Sequence, residues 1–430
     1  MKKLLLASLI TSSIAIPSLS HAMVAMDDDS LSDVSGQALL SMEYNAGYNV
    51  IDAKGQNVDQ TNLGFYKLGL EAEMEINANI KKLQLGCGGV NGIGKCDIDI
   101  DNISLSGLQG ANYTSDDRAA SSALITNPFV EFAIKNPKSA STREVLGFRL
   151  SAEKIAGLMT IGTENSSTPN GINSFSGYMK TKASSGVAIT DPRIMDYAAT
   201  GQYIEGAVTG TLVGIPLELH YKSNDYSFNL SSTTAPFTIP SMIVSGTRMT
   251  EAVLKGTGTV NQIDFSGPLA AQISALGLNL TLNKDITGSL TGLQTDITVN
   301  QNLGLIHSLY LNNASSLSLQ TQQILWPGAS VAANRGWWLA IEDEVDLGSI
   351  SPTTNVKITD EVLKQTIAGI NHDLTSKPRE CGDLVFGCIA DSKLDVGEIK
   401  NPAMINFPLQ NLTLQGQNFK SNCFGGLKFC

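Results

Sequence analysis

Phe65-Tyr66-Lys67-Leu68-Gly69-Leu70-Glu71-Ala72-Glu73-Met74-Glu75-Ile76-Asn77-Ala78-Asn79-Ile80 is the stretch whose pattern decides the fold class. Its even positions are apolar, while Lys67, Glu71, Glu73, Glu75, Asn77 and Asn79 fill odd ones. An extended chain points successive side chains to opposite faces, so this alternation predicts one long strand with its even residues buried. At about 3.3 Å per residue such a strand runs roughly 50 Å, well beyond the usual length of about five or six residues. At Lys81-Lys82 the apolar phase moves to Leu83, Leu85 and Cys87, which predicts a bulge or turn.

Shorter alternating runs follow on both sides of the chain's midpoint. They include Ile98, Ile100; Val130, Phe132, Ile134; Leu146, Phe148, Leu150; Leu217, Leu219, Tyr221; Tyr226, Phe228, Leu230; Leu278, Leu280, Leu282; and Leu317, Leu319. Turn clusters such as Asn127-Pro128, Asn136-Pro137 and Thr168-Pro169-Asn170-Gly171 separate them. The pattern predicts an all-β protein, mainly antiparallel, with long amphipathic strands in an elongated sheet-rich body and a few short helices. One helix is predicted over Thr359–Ile370, with Thr359 as N-cap, Asp360 and Glu361 in the first turn, and Val362, Leu363, Thr366, Ile367 and Ile370 on one face. A shorter helical turn is read in Asp27–Gln37. The chain divides into a leader at 1–22, an N-terminal β region at 23–184, a linker at 185–202, a second β region at 203–377 and a cysteine-stapled cap at 378–430.

The leader reading rests on Lys2 and Lys3, the apolar Leu4–Ile10, and the small-residue end Ser20-His21-Ala22, the order of a cleaved secretory signal. No later segment offers the roughly 20 continuous apolar residues of a membrane helix. The expected location is therefore the periplasm, the outer-membrane surface or the extracellular space. Six cysteines follow the leader as three neighbouring pairs, Cys87 with Cys96, Cys381 with Cys388, and Cys423 with Cys430. In an exported chain this spacing predicts disulfides, with the sequential pairing preferred because each closes a short loop. The net charge is −11, and −13 once Lys2 and Lys3 leave with the leader. That balance disfavours nucleic acid and anionic lipid as partners.

Candidate chemistry is sparse. Asp97, Asp99 and Asp101 alternate along one strand and would line one face, which reads either as a solvated face or as part of a Ca²⁺ site. His220, His307 and His372 fall in no catalytic motif, and no serine sits in a Gly-x-Ser-x-Gly elbow. Adjacent Trp337 and Trp338 on a strand must point to opposite faces, one to the core and the other either buried as well or exposed towards a partner. No enzyme activity and no cofactor are expected.

The chain resembles the pilus-assembly proteins of the FilA type in Gram-negative bacteria. The resemblance is carried by Asp28–Ala38, Phe65–Ala72, Asn79–Gly89, Asn127–Pro137 and Ser141–Lys154. It implies a non-enzymatic role in building or decorating a surface filament, with other envelope or pilus-assembly proteins as partners and association between copies allowed. The chain lacks the methylated-Phe leader and long N-terminal helix of type IV pilins, and it lacks a short donor strand directly after cleavage. An accessory, tip or assembly component fits better than a major pilin. The alternative is a periplasmic or outer-membrane-associated carrier whose one-sided sheet holds lipid or another hydrophobic ligand.

Overall fold

The computed structural model describes residues 40–108, 114–163, 169–212, 214–275, 278–352, 355–383, 393–400, 404–410 and 413–415. Three large sheets dominate, one of twelve strands and two of seven, and the protein is all-β. The two seven-stranded sheets are built of strands whose side chains largely alternate between buried and exposed, such as Glu251–Thr259 in one and Ile215–Leu230 in the other. Phe237, Leu254, Ile297 and Val299 from one sheet share a core with Phe228, Phe265, Ile286 and Leu290 from the other. Ile98, Ile100, Phe175 and Ile341 of the twelve-stranded sheet belong to the same core, which therefore runs through all three sheets.

The segment 185–202, read from sequence as a linker, is built into this body. Ser184–Ile189 pairs with Thr234–Ile239, and Arg193–Asp196 pairs with Leu230–Ser227. Ala188, Met195 and Thr200 are buried. Its small and polar residues look like a connection in sequence, yet they form strands because alternate positions still point inward. The helix spans Asp360–Ser376, beyond the expected end at Ile370, and Leu374 continues the buried stripe of Val362, Leu363, Thr366, Ile367 and Ile370. The Thr359 hydroxyl accepts from the Val362 N–H, as its N-cap position requires. Most strand pairs are antiparallel, but Gly177–Thr181 runs parallel to Leu339–Val345, and Leu278–Thr291 parallel to Lys393–Lys400.

The predicted 50 Å strand is broken in three: Leu63–Leu70, Glu73–Ile76 and Ala78–Leu85. The first two pair with the same neighbour, Ala123–Lys135. Gly69 faces Phe129 while Glu73 faces Thr126, so four steps on one strand meet three on the other. One extra residue is a bulge, and it reverses which face each later side chain takes. At Asn77 the chain leaves for a new partner, Ile98–Ser106. The Asn77 amide pins this corner by donating to the Ala119 carbonyl at 3.0 Å.

The buried face of Leu63–Leu70 is also the opposite of the one expected. Leu63 and Phe65 are buried, whereas Leu68 is 45% exposed. Register explains how an odd face carrying Lys67 can be covered. Glu43, Lys67, Glu131 and Arg149 stand side by side across four antiparallel strands and continue into Ser318 and Trp338. Charge alternates in sign along this row. Lys67 Nζ lies 3.6 Å from Glu43 and 3.7 Å from Glu153, and Glu131 bonds Arg149 at the buried centre.

Over that face lies the loop between Gln320 and Gly336. Trp326, Ile324, Val331 and Ala333 pack on Phe65, Ala133, Tyr178 and Trp338. Buried polar contacts fasten it. Pro327 O accepts from Arg149 Nη2 at 2.9 Å, and Gln60 exchanges two bonds with the Leu325 backbone at 2.8 and 3.0 Å. The Arg149 guanidinium also lies 5.3 Å from the Phe129 ring and 5.5 Å from the Trp326 ring. Burial pushes the Glu131 carboxyl above its ordinary value against the pull of Arg149.

Removing one partner of a buried pair strands the other charge. Glu131→Ala is expected to lose about 3–5 kcal/mol of stability, read as a drop in the urea midpoint. The double replacement Glu131→Met with Arg149→Met, which leaves no orphan charge, is expected to cost much less.

Candidate functional site

On the other face of the same strands, two adjacent register rows carry no charge. Met42, Leu68, Val130 and Leu150 are register neighbours across the four strands, as are Tyr44, Tyr66, Phe132 and Phe148. The first row continues into Leu317 and Leu339 and the second into Leu319 and Trp337. Every charge at these register positions points to the covered side, because Glu43, Lys67, Glu131 and Arg149 all sit at alternate positions. Leu317, Trp337 and Leu339 pack against the main core. Moving outward along the rows the cover stops: Leu150 is 45% exposed, Leu68 45%, Phe132 39%, Tyr44 46% and Met42 85%. The Tyr44 and Tyr66 rings lie 4.9 Å apart, and Phe148 meets Trp337 edge-on at 6.0 Å.

The rows end at Leu40–Ala46, the terminal strand of the twelve-stranded order. Among the described residues no strand pairs with its outer side. It holds no proline or lysine to blunt that edge, and its one charge, Glu43, faces Lys67. An unpaired edge beside an apolar sheet face is the arrangement proteins use to take up another chain.

Among the sequence-derived candidates, Asp97, Asp99 and Asp101 do not converge. Asp97 is buried just before its strand, where its carboxylate accepts from Trp337 N–H at 3.1 Å and Asn91 Nδ2 at 3.0 Å, with Arg248 Nη1 at 3.4 Å. Gly86 and Gly336, both at positive φ, approach so closely that a Cβ on either would stand 2.4 or 2.5 Å from Asp97 Oδ2. Asp99 and Asp101 do share a face, but Lys82 Nζ sits between them at 3.0 and 2.9 Å. Burial alone would raise Asp99, yet hydrogen bonds from Gln84, Lys82 and Asn173 hold it below the ordinary carboxylate value. Where a cation would be needed the protein supplies an ammonium. Among the described residues no group of three or more His, Cys, Asp or Glu is placed to hold a metal.

Cys87 and Cys96 form a disulfide closing the turn that carries Asn91. Cys388, Cys423 and Cys430 lie outside the described residues, so both remaining pairs do too, in whole or in part. Trp338 is buried, while Trp337 is half-buried against Phe148 at the inner end of the apolar rows. His307 is buried with Nδ1 2.8 Å from Ile161 O, and His220 is exposed. Sequence reading missed the Leu40–Ala46 strand, although Leu40, Met42 and Tyr44 alternate with Ser41, Glu43 and Asn45. It also missed the Glu131–Arg149 pair, whose sole signal was one charge inside each of two alternating runs.

The covered side ends in a second polar cluster. Glu342 accepts from Tyr178, from Lys180 at 2.7 Å, and from Ser330 N–H and Oγ at 3.0 and 2.7 Å. Burial alone would raise the Glu342 carboxyl, but these bonds hold it below its ordinary value. Burial, reinforced by Glu342, pushes the Tyr178 phenol upward.

Residues 1–127 match a family model described as a family of unknown function, DUF6160. The match takes in the free edge strand and the first strands of the apolar face. No curated protein and no solved structure matches the chain. Among the described residues no helix is long and apolar enough to cross a membrane.

Asp97→Ala leaves the Trp337 N–H and Asn91 amide without their acceptor and is expected to cost about 2–3 kcal/mol in a denaturant titration. A carboxyl with a depressed pKa contributes stability that is present above its unfolded value and lost as pH falls through the folded one. The stability difference between wild type and Glu342→Gln is therefore expected to be full at neutral pH and to shrink below the ordinary glutamate range, as measured by melts across pH.

Proposed function

We propose that this chain is an exported, non-catalytic envelope protein that works by docking, as an accessory or assembly component of a pilus-like surface structure. The observation that carries this reading is the pair of uncharged apolar rows reaching from the core to the edge strand Leu40–Ala46, whose outer side is unpaired among the described residues. A monomer that needed only its own fold would gain by covering Met42, Leu68 and Leu150. Aromatic and Met side chains with no charge among them also have the composition of an interface centre. The secretory order of residues 1–22, the paired cysteines and the FilA-type resemblance support the placement outside the inner membrane.

The same uncovered face favours one second reading, a carrier for lipid or another hydrophobic ligand. Native mass spectrometry of gently extracted protein separates the two, since a carrier would retain bound lipid. The docking role is tested by deleting the gene and counting surface filaments by electron microscopy, with adhesion and biofilm measured in parallel. Filaments are expected to be lost or shortened and to return with the wild-type gene. Unchanged filaments, adhesion and biofilm would overturn the reading.

A further inference from the structure

We infer that the apolar face of the twelve-stranded sheet is covered by a second copy of this chain, packed face to face across a two-fold axis. The inference rests on the docking role above and names its first partner.

Area supplies the first argument. Leu40, Met42, Tyr44, Leu68, Phe132 and Leu150 are each between 39% and 85% exposed. At about 150–250 Å² for a large side chain, they put roughly 500–800 Å² of apolar surface on one face. The largest apolar patch of an ordinary monomer is about 300–600 Å², and a standard-size complex buries about 800 Å² on each partner. The face therefore has the size of one half of a stable interface.

Charge supplies the second. In an isologous contact the same patch appears on both sides, so any charge near its centre meets its own sign. The chain is acidic overall, with 40 Asp and Glu against 29 Lys and Arg. Most of its surface is thus poorly suited to meeting itself. The rows Met42-Leu68-Val130-Leu150 and Tyr44-Tyr66-Phe132-Phe148 avoid the conflict, because Glu43, Lys67, Glu131 and Arg149 all project from the other side. A patch with no charge in its two central rows is complementary to its own copy, with Glu73, Glu75 and Lys154 left at its rim, and two such sheets stack about 10 Å apart.

Continuity supplies the third. The inner ends of both rows, at Leu317, Leu339 and Trp337, are already packed on the main core. A second sheet laid over the outer ends would extend that packed layer to the edge strand.

The test is sedimentation velocity on the full chain, expressed with its own leader and recovered from the host envelope, over about 1–100 µM. Wild type is expected to sediment as a dimer at the upper end and to dissociate on dilution. Met42→Glu with Leu68→Glu is expected to weaken association by about tenfold or more, with circular dichroism and melting temperature close to wild type. Leu68→Glu alone serves if the double variant does not fold. Val187→Glu with Ile194→Glu, at exposed apolar positions on the other sheets, is expected to leave the dimer intact.

A wild-type chain that stays monomeric at the highest concentration would overturn the inference. So would a dimer unmoved by the charges at Met42 and Leu68. Two other occupants would show as a monomer that floats with neutral phosphatidylcholine vesicles, or as a monomer that dimerises only when residues 23–39 are removed. Either result also overturns it. Sedimentation does not read filaments, so a monomeric chain whose deletion still abolishes them would sink the dimer and leave the docking role standing.

Discussion

Glu131 and Arg149 meet on adjacent strands beneath the Gln320–Gly336 loop, and the layering of this part of the protein follows from that contact. Two ions buried singly would each cost several kcal/mol; buried together, with Pro327 O accepting a further hydrogen bond from the guanidinium, they can lie under a layer of side chains. Lys67 and Glu43 extend the row outward with alternating sign, which also fixes the register of four strands. A slip of one residue would carry the charges onto the apolar side. Because the charged side accepts the loop, the apolar side is the one left open.

That inversion links the fold to the functional reading. An apolar sheet face ordinarily finds its cover within the chain, and here, among the described residues, it does so at its inner end, where Trp337 and Leu339 reach the main core. The loop that would be the natural lid is held on the other side by Gln60, Glu342, Tyr178 and Arg149. Among the described residues nothing covers Met42 and Leu68, and the docking proposal places another molecule there. The proposed partner surface is thus a consequence of where buried polar groups fasten one loop.

Asp97 has the corresponding role at the sheet's other end. It ties the disulfide-closed turn to the Gly336–Val345 strand, with Gly86 and Gly336 giving the carboxylate room. What reads in sequence as the first member of an acidic triplet, on a solvated face or in a Ca²⁺ site, is a clamp between strands distant in the chain. Asp99 and Asp101, spaced alike, instead share Lys82. Equal spacing along a strand did not give equal environments, since the residues that complete each one come from other strands.

The all-β class, strands such as Ile98–Ser106, Ala123–Lys135 and Ser315–Gln320, the N-cap and apolar stripe of the Asp360–Ser376 helix, and the Cys87–Cys96 pairing were legible in sequence. All depend on neighbours within a few residues: a period of two, a period of 3.6, a cap, or a short closed loop. The break of Phe65–Ile80 into three strands was not legible, because the bulge exists only against Ala123–Lys135. Nor was the choice of buried face. Alternation says that a strand has two unlike faces but not which one another layer will cover. Contacts between residues more than a hundred positions apart decided that, among them Arg149 to Pro327 and Gln60 to Leu325.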